Sequence, residues 1–235
     1  MSQKVLIIIP CYNEETSLPL VLKEIGTIKL PNGFMMEAVV INDCSTDDTK
    51  NIARKLYTTV LDLPMNLGIG GAVQTGIKYA LANNFDFAIQ LDGDGQHPPA
   101  EIEKLLLAQQ NTGVDIVIGS RFIDKQGFQS SFLRRLGINY FYLLNRIFTG
   151  NYIFDSTSGF RLLNRKAIAV AAVRYPDDYP EPESLVIFAK AGLKIKEVAV
   201  NMRSRLGGKS SIQHGASLFY IIKVTIGMLF SFIRN

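Results

Sequence analysis

Short apolar runs alternate with helix-like stretches over the first half of the chain, and this alternation restricts the fold more than any other feature. Four apolar runs of strand length come before residue 92, at residues 4–9, 37–42, 58–63 and 85–91, and each ends in turn residues. Strands that alternate with helices form parallel βαβ units, because a parallel neighbour needs a crossover connection. The sequence therefore predicts an α/β fold with a Rossmann-like, mostly parallel sheet flanked by helices.

The second half of the chain continues this pattern less regularly. Further strands are predicted at 114–118 and 194–200, and residues 155–162 are interpreted as a polar, turn-rich loop. Residues 216–233 are nearly all apolar, although they include Lys223. We therefore expect one domain over residues 1–211 and an apolar or amphipathic C-terminal helix over residues 212–235.

Composition and charge narrow the class of protein. A hydrophobic content of 47% with 20% charged residues is typical of a folded protein. The net charge of +4 is unevenly placed, because residues 198–235 contain five Lys and Arg and no Asp or Glu. This asymmetry favours an anionic partner, for which nucleic acid is not expected. Cys11 and Cys44 are expected to be reduced, buried thiols, and no signal peptide is expected, which together favour a cytoplasmic protein.

The fourth predicted strand delivers two carboxylates into a glycine-rich turn, Asp92-Gly93-Asp94. Two acidic groups this close repel each other unless a cation or a proton lies between them. Oxygen ligands with Gln96 nearby suit Mg²⁺ or Mn²⁺, especially a metal shared with substrate phosphates. An ordinary solvated turn is the alternative, because Asp-Gly pairs are common turn formers. At this point both interpretations stay open.

Acidic residues also follow the first two strands, at Glu14 and Asp43. In a parallel sheet these acids meet at one edge, where an open α/β sheet binds its ligands. An acid after the second strand can accept hydrogen bonds from a ribose or a base, and Tyr12 can lie against a base. The basic residues of the later glycine-rich loop, Arg203, Arg205 and Lys209, can reach a diphosphate. A nucleotide diphosphate as leaving group explains these features together.

Four motifs of this chain are IIPCYNEE from residue 8, NDCSTD from residue 42, LDGDGQHPP from residue 91 and GSR from residue 119. They resemble the motifs of the family 2 inverting glycosyltransferases with the GT-A fold. The later SGFR from residue 158 and RLGGKS from residue 205 are similar to the branch that glycosylates polyprenyl phosphates, such as dolichol-phosphate mannose synthase. The resemblance spans residues 4–211.

The resemblance implies a role for individual positions. The implied nucleotide ligands are Pro10, Tyr12, Glu14 and Asp43. The implied metal and diphosphate site is made by Asp92, Gly93, Asp94 and Gln96. Arg121 and Arg135, together with Asn139 as a weaker match, would meet the acceptor phosphate, and Arg203 and Lys209 would bind donor phosphates.

The implied reaction is an inverting displacement in which the acceptor oxygen attacks the anomeric carbon opposite the departing nucleotide diphosphate. A phosphate acceptor is already ionised near pH 7 and needs no strong base. A hydroxyl acceptor needs one, and Asp94 or Glu183 is the predicted candidate. Transfer to a saccharide hydroxyl is therefore the alternative activity. A nucleotidyltransferase fits less well because the loop after the first strand is acidic, and a sugar-nucleotide binding module is the non-enzymatic alternative.

The apolar stretch at 216–233 has two interpretations. It is near the length of a membrane-spanning helix, but a lysine inside it is costly at a bilayer centre. With Arg234 and the basic loop nearby, we expect a helix on the cytoplasmic membrane surface, where a lipid-linked acceptor arrives. A core helix or a contact in a homo-oligomer is the alternative.

Overall fold

Within the described residues, seven strands form one mixed sheet. The structure is a computed structural model and describes residues 2–56, 58–123, 132–207 and 217–234. The strands are Gln3–Cys11 (β1), Phe34–Asn42 (β2), Thr59–Asp62 (β3), Phe87–Gln90 (β4), Ile116–Ser120 (β5), Arg161–Asn164 (β6) and Ile195–Ala199 (β7). Their order in the sheet is β3-β2-β1-β4-β6-β5-β7. All pairings are parallel except those of β6, which runs antiparallel to β4 and β5.

Helices cover both faces of this sheet. They are Leu18–Ile25 (α1), Thr49–Lys55 (α2), Gly68–Ala82 (α3), Ile102–Thr112 (α4), Phe132–Thr149 (α5), Arg165–Val173 (α6), Pro180–Lys190 (α7) and Ser217–Ile233 (α8). The central strand β1 shows why two layers form. Leu6 and Ile8 pack into the core beside α3 and α6, whereas the alternate residues Val5, Ile7 and Ile9 pack into the core beside α1 and α4. A strand buried on both faces needs this continuous apolar run.

The predicted α/β class is confirmed, with one error in the second half of the chain. The supposed loop at 155–162 ends in β6, and the helix α6 that follows was not predicted. Strand β6 has only four residues and includes Arg161, so it lacks the apolar alternation that marks a strand. In the first half of the chain, α2 begins at Thr49, and the Ser45 hydroxyl before it accepts a hydrogen bond from the Asn13 N–H.

The last helix packs onto the rest of the chain through a third apolar cluster. Phe141 of α5, Val186 of α7, and Val224 and Met228 of α8 are buried together. Lys223 forms an ion pair with Asp178, so its charge is compensated outside this cluster. None of the helices in the described part of the chain combines the length and apolarity needed to cross a bilayer. The division at residue 211 stays a prediction.

Candidate active site

The carboxyl ends of β1, β2 and β4 meet at one edge of the sheet, as the strand pattern predicts. The backbone N–H of Asp43 donates to the Cys11 carbonyl at 2.9 Å, and the N–H of Gly93 donates to the Pro10 carbonyl at 3.4 Å. A Cβ on Gly93 would lie 2.6 Å from the Cys11 sulfur and 3.2 Å from the Pro10 carbonyl oxygen. Glycine is therefore required here for the acidic turn to approach the end of β1.

Asp43 is held in place at the carboxyl end of β2. It is buried, and its two carboxylate oxygens accept the N–H groups of Leu67 and Gly68 at 2.7 and 2.9 Å. Burial raises the pKa of Asp43, and these two hydrogen bonds oppose the rise. The carboxylate thus ties the end of β2 to the start of α3. Tyr12 is 50% exposed beside it, a suitable position for contact with a flat ligand.

Glu14 lies in the loop after β1, close to the acidic turn, with its Cγ 3.6 Å from a Cβ built on Gly93. Its backbone N–H donates to the Thr49 hydroxyl at 2.8 Å, and its carboxylate accepts the Ser17 hydroxyl at 2.5 Å. Burial raises the pKa of Glu14, the charges of Asp94 and Asp92 raise it further, and the Ser17 hydrogen bond and Arg205 oppose the rise. The structure therefore brings Glu14 together with both turn carboxylates, as the sequence predicts.

Neighbouring groups hold the two carboxylates of the turn in different ways. Asp94 is buried, and its Oδ1 accepts the Gln96 N–H at 2.8 Å. Asp92 is more exposed, and its Oδ1 accepts the Gln90 side-chain amide at 3.1 Å. The Asp92 N–H donates to His97 Nδ1 at 3.3 Å, and the His97 ring stacks on a phenylalanine, Phe160. The turn is thus fixed before any ligand arrives.

Electrostatics in the turn favour a cation. Burial and the nearby charge of Asp92 raise the pKa of Asp94, so the turn holds more negative charge than its surroundings stabilise. In the described part of the chain no three His, Cys, Asp or Glu side chains form a metal-binding group. A metal here would thus take its remaining ligands from substrate phosphates and water, as Mg²⁺ commonly does. Two hard carboxylates fit such a shared ion. Gln96 contributes its backbone N–H, and its predicted role as a metal ligand stays a prediction.

The basic segment after β7 lies across the acidic turn. The Leu206 N–H donates to the Asp94 carbonyl at 2.9 Å, and Arg205 Nε lies 3.1 Å from Asp94 Oδ2. Arg203 instead donates from two guanidinium nitrogens to Glu24 on α1 and from Nε to the Gly95 carbonyl. Arg205 is thus the arginine whose guanidinium faces Asp94, and the predicted donor-phosphate role of Arg203 stays a prediction. Lys209 lies outside the described residues.

The far side of the turn contains two arginines held by different partners. Arg121 donates two hydrogen bonds to Asp155, from Nε at 2.8 Å and from Nη2 at 2.7 Å, so its guanidinium has a fixed orientation. Arg161 is buried and donates to the Ser158 and Ser156 carbonyls and to the Ser184 hydroxyl. Burial lowers the pKa of Arg161.

Gly159 allows the loop that precedes β6 to pack directly against the acidic turn. A Cβ at this position would lie 2.7 Å from the Gln90 amide nitrogen and 3.5 Å from an Asp92 carboxylate oxygen. The loop before β6 can therefore approach the acidic turn only with glycine here. Of the predicted acceptor ligands, the side chain of Arg135 lies outside the described residues, and Asn139 is exposed on α5.

Helix α7 carries two glutamates in different surroundings. Glu183 accepts the Ser231 hydroxyl of α8 at 2.7 Å and would contact a Cβ on Gly227, so it faces α8 rather than the acidic turn. Glu181, two residues earlier, is partly buried and experiences the charges of Arg161, Asp92 and Arg121. Burial raises the pKa of Glu181 to about 7, and Arg161 opposes the rise. The assignment of Glu183 as a catalytic base is therefore corrected by its position.

Sequence reasoning missed Glu181, Glu24 and Asp155. Glu181 and Glu183 both lie in the first turn of α7. Which of the two side chains faces the site depends on the direction in which the helix begins. Residue Tyr179, before this helix, has a positive φ of 48°, which no local pattern signals. Glu24 and Asp155 pair with arginines 179 and 34 residues away, contacts that depend on the folded chain.

Comparisons with known proteins identify the family of this chain. The model of glycosyl transferase family 2 matches residues 6–170, more than half of the chain, and the chain therefore belongs to that family. As a member it is a glycosyltransferase, which confirms the predicted family and enzyme class.

Three similar proteins illustrate the match. The UDP-N-acetylglucosamine–dolichyl-phosphate N-acetylglucosaminyltransferase of Methanococcus voltae is 27% identical over 91% of this chain and 92% of its own length. A dolichyl-phosphate beta-glucosyltransferase of Trichomonas vaginalis is 31% identical over 94% of this chain and 71% of its own. A structure of glucosyl-3-phosphoglycerate synthase from Mycobacterium tuberculosis with Mn²⁺, UDP-glucose and phosphoglyceric acid matches with a TM-score of 0.71 and 19% identity, over 98% of this chain and 79% of that one. The last comparison shows the fold.

Proposed function

We propose that this glycosyltransferase moves a sugar from a nucleotide-diphosphate sugar, UDP- or GDP-linked, to a polyprenyl phosphate of the dolichyl or undecaprenyl kind. The observation behind the proposal is the acidic turn, in which Asp92 and the buried Asp94 lie between the proposed nucleotide edge at Asp43 and the guanidinium of Arg205. This arrangement suits a diphosphate with its cation. The names of the relatives from Methanococcus and Trichomonas support a lipid phosphate acceptor.

The proposed chemistry is an in-line displacement at the anomeric carbon. The acceptor phosphate oxygen forms the new bond as the bond to the nucleotide diphosphate breaks, which inverts the configuration. A divalent ion, Mg²⁺ or Mn²⁺, would be held by Asp92 and Asp94 and would stabilise the charge on the leaving diphosphate. Arg205 adds a second positive charge to the same group, and Asp43 with Tyr12 orients the nucleoside. Because a phosphate acceptor is already ionised, the reaction needs no general base.

The acceptor would approach from the side of Arg121. Asp155 fixes this guanidinium, and a fixed arginine suits a phosphate better than a mobile one, because little side-chain freedom is lost on binding. Arg135 is proposed as the second acceptor ligand on the basis of the resemblance alone.

We also propose that the chain is peripheral on the cytoplasmic membrane surface. Helix α8 buries Val224 and Met228 and exposes a second apolar stripe, which includes Phe219, Ile226 and Phe230. Exposed Leu143 and Ile147 of α5 extend the apolar surface, and the Tyr140 hydroxyl joins α5 to Thr225 of α8. An apolar helix face of this kind favours an interfacial position, near a lipid-linked acceptor. A contact between two copies of the chain is the alternative.

An assay that follows radiolabelled sugar into an organic or an aqueous product tests the function. The full chain would be incubated with Mn²⁺, polyprenyl phosphate and radiolabelled UDP- or GDP-sugars, then extracted with organic solvent. We expect label in the organic phase that depends on the polyprenyl phosphate and disappears when EDTA removes the metal. Label only in aqueous saccharide would instead support a hydroxyl acceptor. Binding of the nucleotide sugar without any transfer would leave only a binding module.

A further inference from the structure

One pair of charged residues outside the acidic turn determines where the basic segment lies. Arg203 donates from Nη1 and Nη2 to the two carboxylate oxygens of Glu24, at 2.9 and 2.8 Å, and from Nε to the Gly95 carbonyl at 2.6 Å. All three nitrogens of the guanidinium are therefore occupied. A contact through two parallel hydrogen bonds fixes the orientation of the guanidinium as well as its distance from the carboxylate. Arg203 thus connects α1 to the acidic turn.

The backbone of residues 203–206 follows the turn because of this anchor. The Arg203 N–H donates to the Gln96 carbonyl at 3.1 Å, and the Leu206 N–H donates to the Asp94 carbonyl at 2.9 Å. The Leu206 side chain covers Gly95, where a Cβ would lie 2.6 Å from Leu206 Cδ1. Between these two contacts, Arg205 is brought to 3.1 Å from Asp94 Oδ2.

Glu24 also separates the tasks of the two arginines. Arg205 lies near Asp94 and Glu14, whereas both terminal nitrogens of Arg203 donate to Glu24. The carboxylate of Glu24, on the last turn of α1, compensates the charge of Arg203 away from the diphosphate position. Arg205 then remains as the arginine of this pair directed at Asp94. The division of roles follows from one residue of α1 that belongs to none of the six motifs.

We propose that Glu24 is a positioning residue for donor binding: through Arg203 it holds the segment 203–206 so that Arg205 reaches the diphosphate. This inference rests on the proposed function, because the diphosphate is the group that Arg205 would bind. Glu24 itself touches neither the nucleotide edge nor the turn carboxylates. Its effect on donor affinity should therefore depend entirely on Arg205.

Calorimetric titration of the full chain with UDP and GDP in the presence of Mn²⁺ tests this dependence. With whichever nucleotide binds more tightly, we expect Glu24→Gln to weaken binding by about fivefold, as the loss of a charge-assisted contact at a partly exposed site would do. Transfer at saturating donor should fall by no more than about the same factor, because Arg205 also stabilises the charge on the leaving diphosphate. Glu103→Gln, the same chemical change at an exposed position of α4, should leave the affinity unchanged.

The same substitution in a chain that already lacks Arg205 distinguishes a positioning role of Glu24 from a general effect on stability. In an Arg205→Gln chain, which is itself expected to bind more weakly, Glu24→Gln should have no further effect on nucleotide affinity. An equal loss in both backgrounds, or wild-type affinity in Glu24→Gln, would overturn the inference and leave the proposed function intact. Failure of the wild-type chain to bind either nucleotide with Mn²⁺ would overturn both.

Discussion

Replacing Asp94 with asparagine is expected to lower sugar transfer by about a thousandfold, the scale of losing a group that stabilises charge on a leaving group. Asparagine keeps an oxygen for the Gln96 N–H but removes the charge that would hold a cation. Initial rates would be measured over a range of Mn²⁺ concentrations. Asp177→Asn, at an exposed position of the loop before α7, is the control and should transfer normally.

The stability of the Asp94→Asn chain should change in the opposite direction from its activity. Because burial and Asp92 raise the pKa of Asp94, the folded chain keeps this proton to a higher pH than the unfolded chain. The ionised group thus costs folding stability as the pH rises through the folded-state pKa, and the neutral amide avoids that cost. Thermal unfolding at pH 8 without metal should show an equal or higher midpoint. Normal metal-dependent transfer, or a clear loss of stability, would contradict the assigned role.

Placing acidic residues on the outer stripe of α8 is expected to release the chain from membranes. The double variant Ile226→Glu with Phe230→Glu should bind vesicles of phosphatidylcholine and phosphatidylglycerol at least about tenfold more weakly, because each change removes apolar area and adds repulsion from anionic lipid. Both side chains are exposed, so the fold should persist. Sedimentation with the vesicles measures the bound fraction.

A matched substitution and a second measurement distinguish the two uses of this face. Val173→Glu, at an 84% exposed apolar position of α6, should bind vesicles as the wild type does. Analytical ultracentrifugation without lipid would compare the mass of the same variants. Unchanged vesicle binding in the α8 variant would refute the membrane proposal, and a fall from a dimer to a monomer would assign the face to a subunit contact.

The parallel half of the fold could be predicted because its signals are local. Each of the first four strands is an apolar run closed by turn residues, and strand direction alone places Asp43 and Asp94 at one edge. Strand β6 could not be predicted in this way. Its antiparallel pairing with β4 and β5 is a long-range contact, and buried Arg161 within it reads as a surface charge in sequence.

The site was predictable in its acidic residues and less so in its basic ones. Glycines 93 and 95 fix the acidic turn locally, so Asp92 and Asp94 follow from the motif. Which of the two arginines, Arg203 or Arg205, faces Asp94 depends on Glu24, which lies 179 residues from Arg203 in sequence. Likewise, the choice between Glu181 and Glu183 depends on the contact of α7 with α8. Pairings over such distances leave no local pattern.

The central claim is that the turn at Asp92 and Asp94 holds a divalent ion together with the donor diphosphate. Crystals of the full chain grown with Mn²⁺ and UDP or GDP, measured at the manganese absorption edge, test it most directly. We predict an anomalous peak in contact with a carboxylate oxygen of Asp94 and with the diphosphate, and Arg205 turned from Asp94 toward a phosphate oxygen. A bound nucleotide whose manganese peak lies away from both carboxylates of the turn would contradict the account.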